Sequence, residues 1–227
     1  MDICKLDFYM LDHVCCDIRR WLDEGKNAVK VSVNLSRRHL SDMDLLQHIV
    51  EIIDRNDIPH DYIEIELTET TTDVEFKDLR RVLSGLQETS ISTSVDDFGV
   101  GYSSLTLIKD LPWDVMKIDR SLLPEGSSID RKKEIMLRYV VGMASDIGLE
   151  CVAEVVETKE QEELLKTTSC NIIQGFYFDR PLPINEFETR LDNYSYKKEQ
   201  SRGIRAVFIQ KQCGVFIEGN PFEKGFR

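Results

Sequence analysis

The chain has 227 residues, of which 41% are hydrophobic and 31% are charged, a composition typical of one globular domain. Its formal net charge of −12 argues against nonspecific binding of nucleic acid through phosphates, because that binding needs clustered Lys and Arg. The acidity is compatible with a metal site, since bound cations invert the local charge and admit a phosphate ligand. Ordinary solubility explains the same acidity equally well.

The six cysteines form no C-x-x-C pair, and the four histidines are not at zinc-ligand spacing. The N-terminal residues MDICKLDFYM lack the apolar core of a signal peptide, and no apolar run approaches the length of a membrane span. We therefore expect a reduced, cytoplasmic domain that has no membrane segment and does not bind DNA.

Helical and extended patterns alternate along the chain. Helices are predicted over 7–24, 41–56, 72–87, 103–110, 131–147, 158 to before 171, and 185–195. Strands are predicted over 29–36, 62–67, 91–95, 113–119, 149–155 and 171–176. Three helix N-termini have candidate caps. Ser41 with Asp44 could cap one helix, and capping boxes are predicted at Thr72/Glu75 and at Thr158/Gln161.

Strands that alternate with helices predict parallel βα units, which occur both in doubly wound open sheets and in closed barrels. Polar residues stand at the C-terminal ends of six successive strands: Asn34, Glu66, Asp96, Lys117, Glu154 and Gln174. An open sheet gathers only the strand ends beside its switch point, whereas a barrel gathers all of them at one mouth. We therefore predict an α/β fold of the TIM-like (β/α) barrel type over residues 1–195.

Residues 196–227 differ from the rest of the chain, with seven Lys or Arg against three Glu. The apolar runs AVFI (206–209) and GVFI (214–217) could pair as a small hairpin, or the segment could be a poorly ordered tail. We treat residues 196–227 as a C-terminal tail outside the barrel.

The pair Asp96 and Asp97, in the sequence DDFGVG, has two interpretations. Asp and Gly are turn residues, and the pair alone fits a turn as well as a metal site. The polar residues at the five other strand ends favour the metal site, because carboxylates, amides and one amine that converge suit hard cations and phosphate.

These residues resemble the EAL-domain phosphodiesterases, which hydrolyse cyclic di-GMP to linear pGpG in bacterial second-messenger signalling. The matching stretches are VSVNLSRRHL (31–40), IEIELTET (63–70), VDDFGVGYSSL (95–105), VMKIDRSLL (115–123), VAEVVET (152–158) and IIQGFYFDRPLP (173–184). They follow one another in order over roughly residues 7–195, and DDFG-x-GYSSL together with QG-x-x-F-x-RPLP is highly specific.

The resemblance implies a two-metal site for Mg²⁺ or Mn²⁺ with cyclic di-GMP as the substrate. Its implied metal ligands are Asn34, Glu66, Asp96, Asp97 and Glu154, with Asp96 as the bridge between the two ions. It further implies that Lys117 holds and polarises the attacking water, with Gln174 hydrogen-bonded near it. Asp97, Gln174 and Pro181 are the implied substrate contacts.

The resemblance also implies residues that act through others. Glu69 is expected to anchor the loop 99–104, with Thr68 beside it, and Asp119 and Glu157 are expected to orient the ligands. Structural alternatives stay open: Asn34 could cap the chain that leaves its strand, and Gln174 could satisfy backbone groups. Lys117 could pair with Asp119 or a neighbouring acid, and Glu154 and Glu157 could belong to a solvated face. A homodimer or an association with an upstream signalling domain is expected.

The chain departs from the family pattern at three places. No E-A-L occurs, so we expect the barrel to lack its first βα unit. In the family that unit carries a metal-ligand Glu and a substrate-contacting Arg. The apolar runs at 206–217 could fill the gap that it leaves. Val100 replaces a small hydroxyl residue, and Val155 replaces a Gly. If the backbone needs a positive φ at Val155, we expect Glu154 to be displaced.

The alternative function is a degenerate barrel that binds cyclic di-GMP or a partner protein without turnover.

Overall fold

The computed structural model describes residues 2–68, 73–100, 105–124, 130–192 and 205–206. Within these ranges the strands β1 to β7 span Val31–Asn34, Ile63–Thr68, Ser92–Phe98, Val115–Ile118, Glu150–Ala153, Ile172–Ile173 and Arg205–Ala206. The helices α1 to α7 span Ile3–Asp23, Leu45–Arg55, Asp73–Glu88, Leu105–Asp110, Arg131–Asp146, Lys159–Leu165 and Ile184–Asp192.

All seven strands lie in one sheet in their order along the chain, and each pairs in parallel with its neighbour. A helix separates each of the strands β1 to β6 from the next, as parallel pairing requires. The sheet curls into a half-barrel of the TIM-like type, which confirms the predicted fold class. Because the strands are parallel, their C-terminal ends all lie at one rim of the sheet.

Helix α1 shows why the helices cover the outside of the sheet. Leu11, Val14, Ile18 and Trp21 recur at helical spacing and are all almost fully buried. They belong to one large hydrophobic core that the strands and the other helices share. At about 1.5–3 kcal/mol for each buried side chain of this size, such a stripe is the main force that holds the helix on the sheet.

Helices α7 and α1 contact each other directly. The rings of Trp21 and Phe187 lie 5.5 Å apart, and both side chains are buried. Glu188 accepts a hydrogen bond of 3.1 Å from the Trp21 indole nitrogen and lies 2.7 Å from Arg20 and 3.2 Å from Lys26. The last helix is thus tied to the first by apolar packing and by an acidic side chain with three partners.

Several predicted boundaries shift for local reasons. Strand β3 continues to Phe98 rather than stopping at residue 95, because Asp96 still pairs with Thr68 and Phe98 with Ile118. Helix α1 begins at Ile3, since the Asp2 carboxylate caps it.

The predicted helix caps have three outcomes. The Thr158/Gln161 capping box is confirmed. The Ser41/Asp44 cap is wrong: Ser41 ends a short 3₁₀ helix, and the Asp44 side chain makes no capping bond at the start of α2. The side chains of Thr72 and Glu75 lie outside the described part of the chain.

The C-terminal segment enters the sheet at one point. Ala206, the first residue of the AVFI run, lies in β7 and pairs with Ile173 of β6. The remainder of that run and the whole GVFI run lie outside the described residues, so the predicted hairpin does too.

Two features concern the expectation of a reduced domain without a membrane segment: the length of the helices and the state of the cysteines. Among the helices in the described ranges, none is long and apolar enough to cross a membrane. The described cysteines are free thiols, and burial raises the pKa of Cys15 and of Cys151 to about 12. Both thiols are therefore protonated at neutral pH and pack as small apolar groups.

Candidate metal centre at the strand ends

Strand register brings the predicted site residues to the same rim. Asn34 at the end of β1 pairs with Glu66 of β2, and the end of β2 pairs with Asp96 of β3. Farther along the sheet, the Glu154 amide donates to the carbonyl of Ile118, at 3.0 Å, and the Gln174 amide to that of Ala153, at 2.8 Å. The backbone ladder therefore places these side chains side by side, although they are far apart in sequence.

Three carboxylates converge at this rim. Glu66, Asp96 and Glu154 each offer one oxygen, and these oxygens all lie within 4.8 Å of one another. Glu66 is only 6% exposed, and Asp96 and Glu154 are half-buried. Carboxylates so close together repel one another when they are ionised unless a cation compensates them, and their oxygens are the donors that hard divalent cations prefer.

Lys117 places a positive charge inside this cluster. Its ammonium group donates a hydrogen bond to Glu66 and lies 3.7 Å from Glu154, while the residue is only 4% exposed. The Gln174 amide nitrogen donates to Glu154 at 3.2 Å. Lys117 pairs with neighbouring acids, as one open interpretation proposed, but these acids are the candidate ligands Glu66 and Glu154 rather than Asp119.

Burial and charge shift the protonation of the central pair. Burial raises the pKa of Glu66 to about 8; the negative charge of Asp96 adds to this effect, and the ammonium of Lys117 opposes it. For Lys117, burial by itself lowers the pKa, but the charges of Glu66 and Glu154 outweigh it and raise the pKa above its ordinary value. Lys117 thus stays protonated at neutral pH, which suits a group that stabilises negative charge.

Asp97 is placed differently from Asp96. It is exposed and is not one of the three carboxylates that converge. Its φ of +58° lies in the left-handed region, and its amide donates to the Asp96 carboxylate at 2.8 Å. Asp tolerates this conformation better than most residues. The turn at Asp97 therefore fixes Asp96 through a backbone hydrogen bond, while the Asp97 side chain stands at the rim of the site.

Val155 has a φ of +54°, the conformation that its β-branched side chain makes costly. The expectation that a positive φ here would displace Glu154 is wrong, because Glu154 remains in the carboxylate cluster. The segment is held from both sides: the Val156 amide donates to the carbonyl of Gln174, at 3.1 Å, and the Tyr177 amide to that of Val156, at 3.0 Å. These bonds offset the strain at Val155 and keep Glu154 in place.

The expected supporting residues have varied positions. Asp119 caps the short 3₁₀ helix Arg120–Leu122 by accepting from the Ser121 amide at 2.8 Å, and the Ser121 hydroxyl donates to the carbonyl of Gly99, at 3.2 Å. Asp119 therefore supports the start of the loop at Gly99. Glu69 and residues 101–104 lie outside the described residues.

The other expected positions are exposed. Thr68 ends β2, Asn34 ends β1, Glu157 precedes α6, and Pro181 precedes α7. The Glu157 amide donates to the side chain of Gln161 at 2.8 Å. In the described structure Glu157 therefore belongs to the start of α6, whereas Asn34 and Thr68 border the carboxylate cluster through strand pairing.

Two buried polar groups near the site were missed from sequence. Asp7 of α1 accepts from the Ser36 amide at 2.8 Å and lies 3.1 Å from a His39 ring nitrogen, which fixes the chain that leaves Asn34. Glu64, which is 6% exposed, accepts from the Ser32 hydroxyl at 2.7 Å one layer below Glu66. Strand periodicity could have indicated Glu64, since residues two apart face the same side; no local signal indicates Asp7.

The chain matches the family model described as EAL domain over residues 3–181. It is 32% identical over 192 residues to "Cyclic di-GMP phosphodiesterase NbdA" of Pseudomonas aeruginosa, a match that covers 85% of this chain and 24% of that protein. The chain spans about a quarter of the length of the first curated relatives it matches.

Solved structures agree with this match. The EAL domain of Mycobacterium smegmatis DcpA is similar, with a TM-score of 0.75 and 31% identity over 81% of this chain and 82% of that one. Klebsiella pneumoniae BlrP1, in a manganese/cy-diGMP complex, is similar, with a TM-score of 0.68 and 29% identity over 78% of this chain and 44% of that one.

Proposed function

Because this chain belongs to the EAL-domain family, we propose that it is a metal-dependent phosphodiesterase that hydrolyses cyclic di-GMP to linear pGpG in bacterial second-messenger signalling. The observation that carries the proposal is the convergence of Glu66, Asp96 and Glu154 around the buried ammonium of Lys117. A relative with the phosphodiesterase name and a relative solved with manganese and cy-diGMP support the same reaction class.

The donor set at the rim fits divalent cations. We propose that Asn34, Glu66, Asp96, Asp97 and Glu154 would hold two Mg²⁺ or Mn²⁺ ions. Several carboxylate oxygens in a partly buried setting match the preference of these ions. When bound, such ions lower the pKa of a water molecule and stabilise charge on phosphate oxygens.

The other side chains of the site have roles that their contacts support. Lys117, held by two acids, orients the attacking water and stabilises negative charge that develops beside it. Gln174 donates to Glu154 and thereby limits that carboxylate to one orientation. We propose that Asp97, Gln174 and Pro181 contact the dinucleotide.

Four further residues are proposed to act through others. Glu69 and Thr68 are proposed to anchor the loop 99–104. We propose that Asp119 and Glu157 keep the chain around the ligands in position, in keeping with the Asp119 cap beside Gly99.

One assay tests the reaction. The purified chain is incubated with cyclic di-GMP and Mn²⁺ or Mg²⁺, and pGpG is followed by chromatography. We expect product from the parent chain and a loss of at least about 100-fold in Asp97→Ala. Asp61→Ala is the matched control, because Asp61 is also exposed but precedes β2 at the opposite end of the strands. If Asp97→Ala forms pGpG as fast as the parent chain does, the reaction does not depend on Asp97 and the proposed site is wrong.

The second candidate function is a receptor that binds cyclic di-GMP or a partner protein without turnover. The lack of an E-A-L sequence is the observation that favours it, since in the family that motif carries a metal-ligand Glu and one lost ligand weakens a metal site. Measurable binding of cyclic di-GMP with no pGpG formed at any metal concentration would support the receptor and contradict the enzyme.

We further propose the limits and surroundings of the domain. Residues 1–195 form the barrel and 196–227 the tail, and the apolar runs at 206–217 fill part of the gap in the barrel, in line with the pairing of β7 with β6. A chain that ends at residue 196 and is equally soluble and folded would contradict the last point. The domain is proposed to act in the cytoplasm, as a homodimer or together with an upstream signalling domain.

A further inference from the structure

The inner face of the half-barrel carries a second layer of side chains below the candidate metal centre. Because side chains alternate along a strand, the residue two positions before each strand-end residue faces the same side of the sheet. The polar half of this second layer consists of Ser32, Glu64 and Ser94, and its apolar half, a cluster separate from the main core, consists of Val115, Val152 and Ile172. A charged group above the layer therefore finds polar side chains below it on one half only.

The Lys117 side chain reaches over this polar half. Lys117 lies on β4 and donates to Glu66 on β2, and β3 lies between these two strands in the sheet. On β3, Ser94 faces the same side as Asp96 of the carboxylate cluster, and it pairs with Glu66 in the strand register. The side chain of Lys117 therefore crosses the inner face of β3, where Ser94 lies.

Two groups of the polar half can accept a hydrogen bond from an ammonium. Glu64 is only 6% exposed; the Ser32 hydroxyl donates to one of its oxygens at 2.7 Å, and a carboxylate has room for further donors. The Ser94 hydroxyl is fully buried and has no hydrogen-bond partner within the described ranges of the chain. Because a buried hydroxyl without a partner costs free energy, a partner that arrives in another state of the site would explain it.

Metal binding would occupy the partners that Lys117 has in this structure. Its ammonium contacts Glu66 and Glu154, and both are proposed metal ligands. Divalent cations on these carboxylates would neutralise their charge and repel a nearby ammonium. The proposed reaction nevertheless needs Lys117 to stay in the site, so a buried acid that binds no metal must hold it. Glu64 is such an acid, and its charge already helps to raise the pKa of Lys117.

We propose that Glu64 and Ser94 are positioning residues that hold the Lys117 ammonium from below in the metal-bound site. The ammonium exchanges its hydrogen bond to Glu66 for bonds to these two groups and stays beside the carboxylate cluster. The apolar side chains of the other half accept no hydrogen bond, so the contact forms on the polar half. This inference rests on the proposed function, because without bound cations Lys117 keeps its bond to Glu66.

A double-mutant cycle on the full chain tests Glu64. Calorimetry gives the Mn²⁺ affinity of the parent, Glu64→Gln, Lys117→Met and the double variant. Loss of a distant negative charge weakens Mn²⁺ binding equally with and without Lys117. Without Glu64, however, Lys117 competes with the cations for their carboxylates, so we expect the loss to be at least about fivefold larger when Lys117 is present. Equal losses in both backgrounds would overturn the role of Glu64.

Ser94→Ala separates a positioning role from a structural one. Removal of a buried hydroxyl without a partner should leave the urea stability of the metal-free chain unchanged or improved. With metal bound, kcat for cyclic di-GMP should fall at least about fivefold with little change in KM, because Lys117 acts in the chemical step. A metal-free Ser94→Ala chain that is clearly less stable, or an unchanged kcat, would overturn the role of Ser94.

Thr93→Val is the matched control on the same strand. The Thr93 hydroxyl donates to Asp114 at 3.0 Å, so its removal should lower stability and leave kcat unchanged, the reverse of the Ser94→Ala pattern. Ser32→Ala is a milder second variant, because it keeps the charge of Glu64 but releases the carboxylate; its smaller loss of Mn²⁺ affinity should also depend on Lys117.

The outcomes separate this inference from the proposed function. If the parent chain binds Mn²⁺ but forms no pGpG, the phosphodiesterase proposal fails, and the Mn²⁺ cycle by itself supports or overturns the role of Glu64. A parent chain that binds no Mn²⁺ would overturn the metal centre and this inference together.

Discussion

Gly175, just after β6, packs its backbone directly against the backbone of Val156, just after β5. A side-chain methyl at Gly175 would overlap the peptide nitrogen and carbonyl oxygen of Val156. The two segments are also joined by hydrogen bonds from Val156 to Gln174 and from Tyr177 to Val156. Because Glu154 and Gln174 lie within two residues of this contact, a close backbone approach sets the distance between two residues of the candidate site.

The Gly175→Ala variant tests that relationship. The methyl group must push the segments apart, so we expect a loss of about 1–3 kcal/mol in the free energy of unfolding and at least a tenfold weaker Mn²⁺ affinity. Urea unfolding and calorimetric Mn²⁺ titration measure the two quantities. Gly142→Ala, studied where the chain is monomeric, is the control, since its methyl group has open space and should stabilise helix α5. An unchanged Mn²⁺ affinity in Gly175→Ala would contradict the positioning role.

Val155 offers the opposite experiment, a substitution that relieves strain. Its φ of +54° costs a β-branched residue about 1–2 kcal/mol, whereas glycine adopts this conformation freely. Glycine loses more backbone entropy on folding, so we expect Val155→Gly to gain no more than about 1 kcal/mol in the free energy of unfolding. Mn²⁺ affinity should stay equal or improve.

Val155→Ala is the comparison, because it removes the branch but keeps a side chain at positive φ. It should fall between the parent and Val155→Gly. A clear loss of stability in Val155→Gly would show that packing of the valine side chain outweighs its backbone strain.

Lys117 and Glu66 form a buried pair whose removal has two separable effects. In Lys117→Met the Glu66 carboxyl loses its buried hydrogen-bond donor and takes up a proton, and we expect a loss of about 1–3 kcal/mol in the free energy of unfolding without metal. Turnover of cyclic di-GMP should fall at least about 100-fold, since the group that orients the attacking water is gone.

The double variant Lys117→Met with Glu66→Gln separates the two effects. It removes both charges, so stability should largely return while turnover stays absent. Recovery of turnover in the double variant would contradict both the water-orienting role of Lys117 and the metal-ligand role of Glu66. Urea unfolding and product chromatography on the same preparations give both readouts.

His60 should make the stability of the chain depend on pH. Burial opposes its protonation, but hydrogen bonds to the Asp54 carboxylate and to the carbonyl of Thr89, both at 2.8 Å, outweigh this and raise its pKa above 6.5. A raised folded-state pKa contributes stability that is fully present below 6.5 and is lost as the pH rises through the folded value.

We therefore expect His60 to account for a fall of no more than about 1 kcal/mol in the free energy of unfolding as the pH rises through its folded pKa. The raised pKa of Glu66 acts in the same direction, so the difference between the parent chain and His60→Gln isolates the share of His60. His60→Gln should flatten that part of the profile, because glutamine keeps a donor but does not titrate. An NMR titration gives the His60 pKa directly, and a value at or below 6.5 would refute the prediction.

The order of strands and helices and the polar residues at the strand ends could be predicted from local signals. These features are local: apolar periodicity, the Thr158/Gln161 capping box, and polar residues such as Glu66 and Asp96 where a strand stops. Parallel βα units then bring those ends to one rim, so topology predicts that Glu66, Asp96 and Glu154 lie near one another, as the cluster shows.

How these side chains contact one another could not be predicted, because it depends on how the sheet curls. Lys117 lies 51 residues from Glu66 in sequence, and only the curl of the sheet puts its ammonium among the carboxylates. Asp97 and Val155 adopt positive φ, and Gly175 packs its backbone against that of Val156 from the neighbouring strand. Such contacts have no local signature in the chain, since they depend on strand register and on close packing between residues that are distant in sequence.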